Sequence, residues 1–162
     1  MIAGICTLQG ATAQTAPAST AAGQSAYVNT VQELTLTAAQ KLVAAGVEYA
    51  AGHDMRLSVS VVDRAGNLLA FARMDGASIV TVDVAMGKAR TAAFLKAPSK
   101  VFEDMINAGK PSMATTPGLL PLQGGMPVMY NGTVLGAVGV SGSSGENDQA
   151  VAALIADAFA KF

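Results

Sequence analysis

Between residues 37 and 52 the apolar positions Ala39, Leu42, Val43, Val47 and Ala50 recur at helical spacing. Thr37-x-x-Gln40 reads as a capping box that starts this helix, and Gly52 ends it. The period then changes to two. Leu57 to Asp63 places Leu57, Val59 and Val61 on one face of a strand. The turn residues Asp63 to Asn67 lead into a return strand, Leu68 to Arg73. Helical spacing resumes from Ile79 to Leu95, with Val82, Ala85, Met86, Ala89 and Ala93 on the apolar side. Pro98-Ser99 opens a short third helix that Gly109 closes.

Lys110 to Gln123 holds three prolines and a glycine and predicts a long irregular segment. Met126 to Tyr130 and Thr133 to Val140 are uncharged, Val-rich runs on either side of Asn131-Gly132. That dipeptide predicts a type I′ hairpin, because both central residues of the turn need positive φ. Ser143-x-x-Glu146 reads as a second capping box. It opens a last helix with Val151, Leu154, Ile155, Ala158 and Phe159 on one face. The predicted order is α-β-β-α-α-β-β-α. Two hairpins around a helical insert imply an α+β fold with an antiparallel sheet, and the absence of βαβ alternation argues against a doubly wound nucleotide fold.

Composition narrows the function. The chain has 162 residues, 51% hydrophobic and 13% charged, with no Trp and abundant Gly and Ala. One domain is expected. Small residues in such number suit either tight internal contacts or extensive subunit interfaces. A net charge of −1 leaves no electrostatic footprint for nucleic acid and no basic cluster for a membrane surface.

The first charged residue is Glu33. Residues 1–13 read as the end of a secretory signal, with Ala11-Thr12-Ala13 as a small-x-small cleavage site. The expected location is periplasmic or secreted, or cytoplasmic if that segment is not a signal; it is too short to span a bilayer. Residues 14–32 form a low-complexity linker and residues 33–162 the folded domain. The single cysteine, Cys6, falls in the signal, which leaves the mature domain no disulfide, no thiol nucleophile and no cysteine metal site.

Several residues could carry chemistry. Gly139-x-x-Gly142-x-x-Gly145 lies between a strand and a helix, where exposed amides can hold an anion. Its spacing differs from a dinucleotide fingerprint, no P-loop lysine follows, and Glu146 opposes an anion, so a plain capped turn competes with that reading. His53 is the only histidine. No G-x-S-x-G elbow accompanies it and one imidazole cannot build a zinc site. It can serve as one axial haem ligand, or simply end a helix at the surface. Asp63, Arg64, Arg73 and Asp75 cluster around the first hairpin, and Lys88 stands among small residues in the next helix. Lys88 could bind an acid group, act as a base, or pair with a carboxylate such as Asp75. Glu103 and Asp104 are adjacent on a helix and point apart, and Met126 and Met129 read as core filling before metal ligands.

Val61 to Ala77, the segment Ala85-Met86-Gly87-Lys88-Ala89, and Gly124 to Glu146 together resemble the GlcG/HbpS family, which includes the C-terminal domain of PduO. The resemblance covers roughly residues 33–160. It implies a profilin-like fold, a homo-oligomer, and binding of haem or another tetrapyrrole by an exported protein. The Glu-x-x-Glu pattern linked to iron binding in HbpS-like proteins is absent here. On this view the hairpins and residues 110–123, where Thr115 and Thr116 offer hydroxyls, hold the macrocycle. Arg73, Lys88 or Lys110 pair with its propionates. Arg73, Asp75, Lys88, Gly124, Gly125, Ser141 and Gly142 are the expected ligand-binding residues, with His53 the axial candidate and no separate metal site. The rival function is a cofactor-independent isomerase, hydratase or lyase acting on a small organic acid or carbonyl compound. Lys88 or Asp63 would then be the acid/base, and the Gly124, Gly125 or Gly142 amides would stabilise an oxyanion. A third possibility is an accessory protein that acts through its oligomer surface.

Overall fold

The structure, a computed structural model, describes residues 25–162. The expected signal segment, residues 1–13, and most of the linker lie outside the described residues. Residues 25–27 form a single 3-10 turn.

From residue 32 onward the chain builds one four-stranded antiparallel sheet. Helix α1 spans Leu36–Gly52, strands β1 Ser58–Asp63 and β2 Leu68–Arg73, and helices α2 Val80–Leu95 and α3 Lys100–Asn107. A 3-10 turn at Pro111–Thr115 precedes β3, Gly125–Tyr130, and β4, Thr133–Ser141. Helix α4, Gly145–Ala158, ends the fold with one 3-10 turn. The strand order is β2-β1-β4-β3, so each hairpin puts its inner strand at the centre. Val59 faces Val140 and Val61 faces Val138 across the central pair.

Both faces of the sheet are covered. Leu57, Val59, Val61, Val138 and Val140 point to one face and pack on Leu42 of α1 and Val151, Ala152 and Ile155 of α4. Full burial of each large aliphatic contributes about 1.5–3 kcal/mol. The opposite face carries small side chains. Val62 and Ala137 meet Ala89, Ala92 and Ala93 of α2 there, and Ser58 shares a 2.7 Å hydrogen bond with Thr81. A Cβ added at Gly139 would run into the backbone of α2 at Ala85 and Ala89, and one at Gly125 would strike the Lys88 carbonyl. The Gly and Ala content therefore serves close contact between α2 and the sheet. Phe102, fully buried, anchors α3.

The helix starts differ from the predicted boxes. Thr35, not Thr37, caps α1, its hydroxyl accepting from the Ala38 amide. Ser144, not Ser143, caps α4 by accepting from Asn147, while the Ser143 hydroxyl receives the Asn147 side-chain amide. In both cases neighbouring hydroxyl residues compete, and the one whose extended backbone leads into the first turn wins. Asn131 and Gly132 both take positive φ, +47° and +75°, as the type I′ turn requires.

Candidate functional site

Lys88 lies on the inner face of α2, in a stripe with Thr81, Ala85 and Ala92. Only 3% of it is exposed. A buried ammonium needs a counter-charge, and here that group is Asp148, itself 2% exposed, in the first turn of α4. Lys88 Nζ donates to Asp148 Oδ2 at 2.7 Å and to the Val140 carbonyl at 3.0 Å. The other Asp148 oxygen accepts from the Ser143 amide at 3.0 Å. The partner weighed for Lys88 from the sequence, Asp75, is exposed and lines a different pocket.

Gly124 makes room for this pair. A Cβ there would sit 2.9 Å from Lys88 Nζ and 3.0 Å from the Asp148 Cβ. The neighbouring amides are already engaged. Gly124 N donates to Gln149 Oε1 at 2.7 Å, and Gly125 N donates to the buried Ser99 hydroxyl at 2.8 Å. These two glycines therefore offer no free oxyanion donors, which corrects the expectation placed on them. Gly142 is also a packing glycine, since its missing Cβ faces the Arg56 carbonyl.

Beside the ion pair lies a pocket of about 220 Å³. Val84 and Leu122 form its apolar wall, and Lys88, Asp148, Ser141 and Glu103 supply its polar groups. Lys88 and Ser141, two of the expected ligand-binding residues, line this pocket together. Asp148 is the member that the sequence reading missed. Its signal was present: Asp148 heads the buried stripe Val151, Ala152 and Ile155 at spacings of three, four and seven.

The remaining candidates lie elsewhere. Arg73 and Asp75 line a second pocket of about 420 Å³ with Arg56, Val47, Ala51 and Met74. His53 follows α1 at the surface, stacks on Tyr49 at 3.9 Å, and donates from Nδ1 to the Tyr49 carbonyl at 2.7 Å. A carbonyl only accepts, so Nδ1 carries a proton and the neutral ring has its lone pair on Nε2. Met126 accepts from Gln149, Glu103 accepts from the Gln123 amide, and Asp104 pairs with Lys100.

Asp63 closes the first hairpin turn. One carboxylate oxygen accepts from the Ala65 and Asn67 amides, each at 2.8 Å, and the other from the Asn67 side chain at 3.0 Å. Partial burial pushes this carboxyl upward, but the hydrogen bonds from Asn67, Ala65 and Gly66 outweigh it and hold it below the usual carboxylate value. Asp63 is consequently a charged turn-closing group rather than a proton carrier. Asp63→Ala is expected to cost about 1–2 kcal/mol, the price of several lost hydrogen bonds. A depressed folded-state pKa gives stability that is complete above the ordinary carboxylate range and disappears as pH falls through the folded value. Thermal melts across acid pH should therefore show the difference between wild type and Asp63→Asn shrinking as the medium becomes more acidic.

Residues 34–156 match the family model described as haem degrading protein HbpS-like. Protein GlcG of Escherichia coli strain K12 is 41% identical over 103 residues, covering 64% of this chain and 77% of that protein. A crystal structure of a double mutant of Streptomyces reticuli HbpS superposes with a TM-score of 0.77 at 36% identity, covering 91% of this chain and 97% of the other. The structure of a PduOC:heme complex gives a TM-score of 0.71 at 27% identity, covering 78% and 94%.

Proposed function

The chain belongs to the HbpS-like family, and from that premise we propose that it binds haem or a closely related tetrapyrrole dicarboxylate. The observation that carries this reading is the pocket between α1 and the end of β2. Val47, Ala51 and Met74 give it an apolar floor, and Arg56 and Arg73 flank it with two guanidinium groups beside the single carboxylate of Asp75. A planar macrocycle with two propionates asks for that combination of apolar contact and forked cations. Asp54 lies 3.4 Å from the Arg56 guanidinium, but both side chains are largely exposed and the pair is weak. Arg73 makes no side-chain hydrogen bond among the described residues and is free to meet a carboxylate. Lys88 is spent on Asp148 and does not serve a propionate.

Two groups can meet an iron. The Met74 thioether lines the pocket, and the exposed His53 presents Nε2 in its ligating form but does not line it. Bound haem would supply an iron centre able to exchange one electron, its potential set by whichever of these ligates. The related PduOC:heme complex supports the ligand class.

Haem titration tests the proposal. A saturable Soret band is expected, with affinity at least about tenfold weaker in an Arg56→Glu, Arg73→Glu double variant. Met74→Leu and His53→Ala then separate the two ligation modes by their spectra. Folded protein showing no spectral change at micromolar haem would overturn the reading. Export is part of the proposal and rests on residues 1–13. It requires the protein outside the cytoplasm with an N-terminus beginning after Ala13. Assembly of several copies is also proposed, and sedimentation measures it.

A further inference from the structure

The pocket beside Lys88 shares no lining residue with the Arg56–Arg73 surface, and tetrapyrrole binding does not account for it. Its volume of about 220 Å³ is too small for a macrocycle. Its polar groups are unevenly satisfied. Asp148 accepts from Lys88 with one oxygen and from Ser143 with the other. Lys88 carries three protons and has two acceptors. Ser141 is 94% buried, being 6% exposed, and lines the pocket. Its hydroxyl makes no hydrogen bond to any described residue. Ser141 ends β4, paired with Ser58 in register, so the strand holds this hydroxyl in place. The hydroxyl is not sealed off, since Ser60 Oγ is the fully enclosed side-chain oxygen without a partner among the described residues; it opens onto the pocket, where an incoming acceptor can take the place of water.

We propose that this pocket binds a small uncharged hydroxycarbonyl compound of about two to four carbons, below the drug-sized ligands that fill roughly 300–1,000 Å³. Its carbonyl oxygen accepts from the Ser141 hydroxyl and the remaining Lys88 proton. Its hydroxyl donates to Glu103, which lines the mouth and has one oxygen occupied by the Gln123 amide. Val84 and Leu122 cover the carbon chain. Charge decides against an acid of the same size. One ammonium faces two carboxylates, Asp148 and Glu103, so an anion would enter a site that already carries excess negative charge and would compete with Asp148 for Lys88.

Titration of isotope-labelled protein with hydroxyacetone, followed by amide chemical shifts, tests this directly. The expected result is saturable shifts at Gln123, Ser141 and Ser143, with lactate binding more weakly. Ser141→Ala removes a hydroxyl that holds nothing in the fold, so it should keep the melting temperature and lose about tenfold in affinity, the worth of one such hydrogen bond. Ser141→Val should fill the space and abolish the shifts. Absence of saturable shifts, equal affinity for lactate, or unchanged affinity in Ser141→Ala would each overturn the proposal. None of these outcomes touches the Soret measurement, so the two sites stand or fall separately.

Discussion

Lys88→Ala is expected to lower the free energy of unfolding by about 3–5 kcal/mol, because it leaves the Asp148 carboxylate buried without its cation. Asp148→Ala should cost a similar amount for the converse reason. Against a total stability of roughly 5–15 kcal/mol for a domain of this kind, either change brings the fold close to its limit. Desolvation of the two charges consumes much of what their attraction returns, so the pair is worth far less than the cost of breaking it. Combining Lys88→Met with Asp148→Leu should therefore recover most of the loss. Urea denaturation of the two single variants and the double variant, read as a double-mutant cycle, measures the coupling. Single variants that unfold at the wild-type urea concentration would show that solvent reaches the pair. An experiment using Lys88→Ala to look for lost activity would mostly be measuring unfolding.

Gly139→Ala carries the second large effect, a loss of about 3 kcal/mol, at the upper end of ordinary overpacking. The new methyl group would be forced into the backbone of α2 at Ala85 and Ala89, and a backbone cannot rotate away as a side chain can. Either α2 lifts from β4 or the centre of the sheet bends. Gly52→Ala is the matched comparison. It ends α1, has open space where the methyl would go, and should change the melting temperature little or raise it. Differential scanning calorimetry of the two variants distinguishes a steric role for glycine from a general dependence on chain flexibility.

The order of the eight main elements was readable because each carries its own period. Leu57, Val59 and Val61 do face one core, and Asn131-Gly132 does close the second hairpin. The irregular segment before β3 was also legible from its prolines. What the sequence hid depends on distant partners. Gly124, Gly125 and Gly139 look like loop or anion-binding glycines, and only the approach of α2, joined at Gly124 by Val140 of β4 and Asp148 of α4, shows why a side chain is excluded there. The same holds for Lys88: its small neighbours indicated burial, but its counter-ion lies 60 residues further along the chain. In α4 the acid that matters is Asp148, which a linear reading groups with Glu146 as a dipole-favouring residue near a helix start. Arg73 and Lys88 are both candidates for meeting propionates in the sequence, yet they line separate pockets.

The Lys88–Asp148 contact has one more consequence. Helix α2 covers one face of the sheet and α4 the other. Their bond passes around the end of β4, so it works as a clasp over the rim of the sheet. Neither helical layer can peel away while the clasp is closed, and opening it exposes two charges from opposite sides at once. The two layers are therefore expected to detach together, as one cooperative unit.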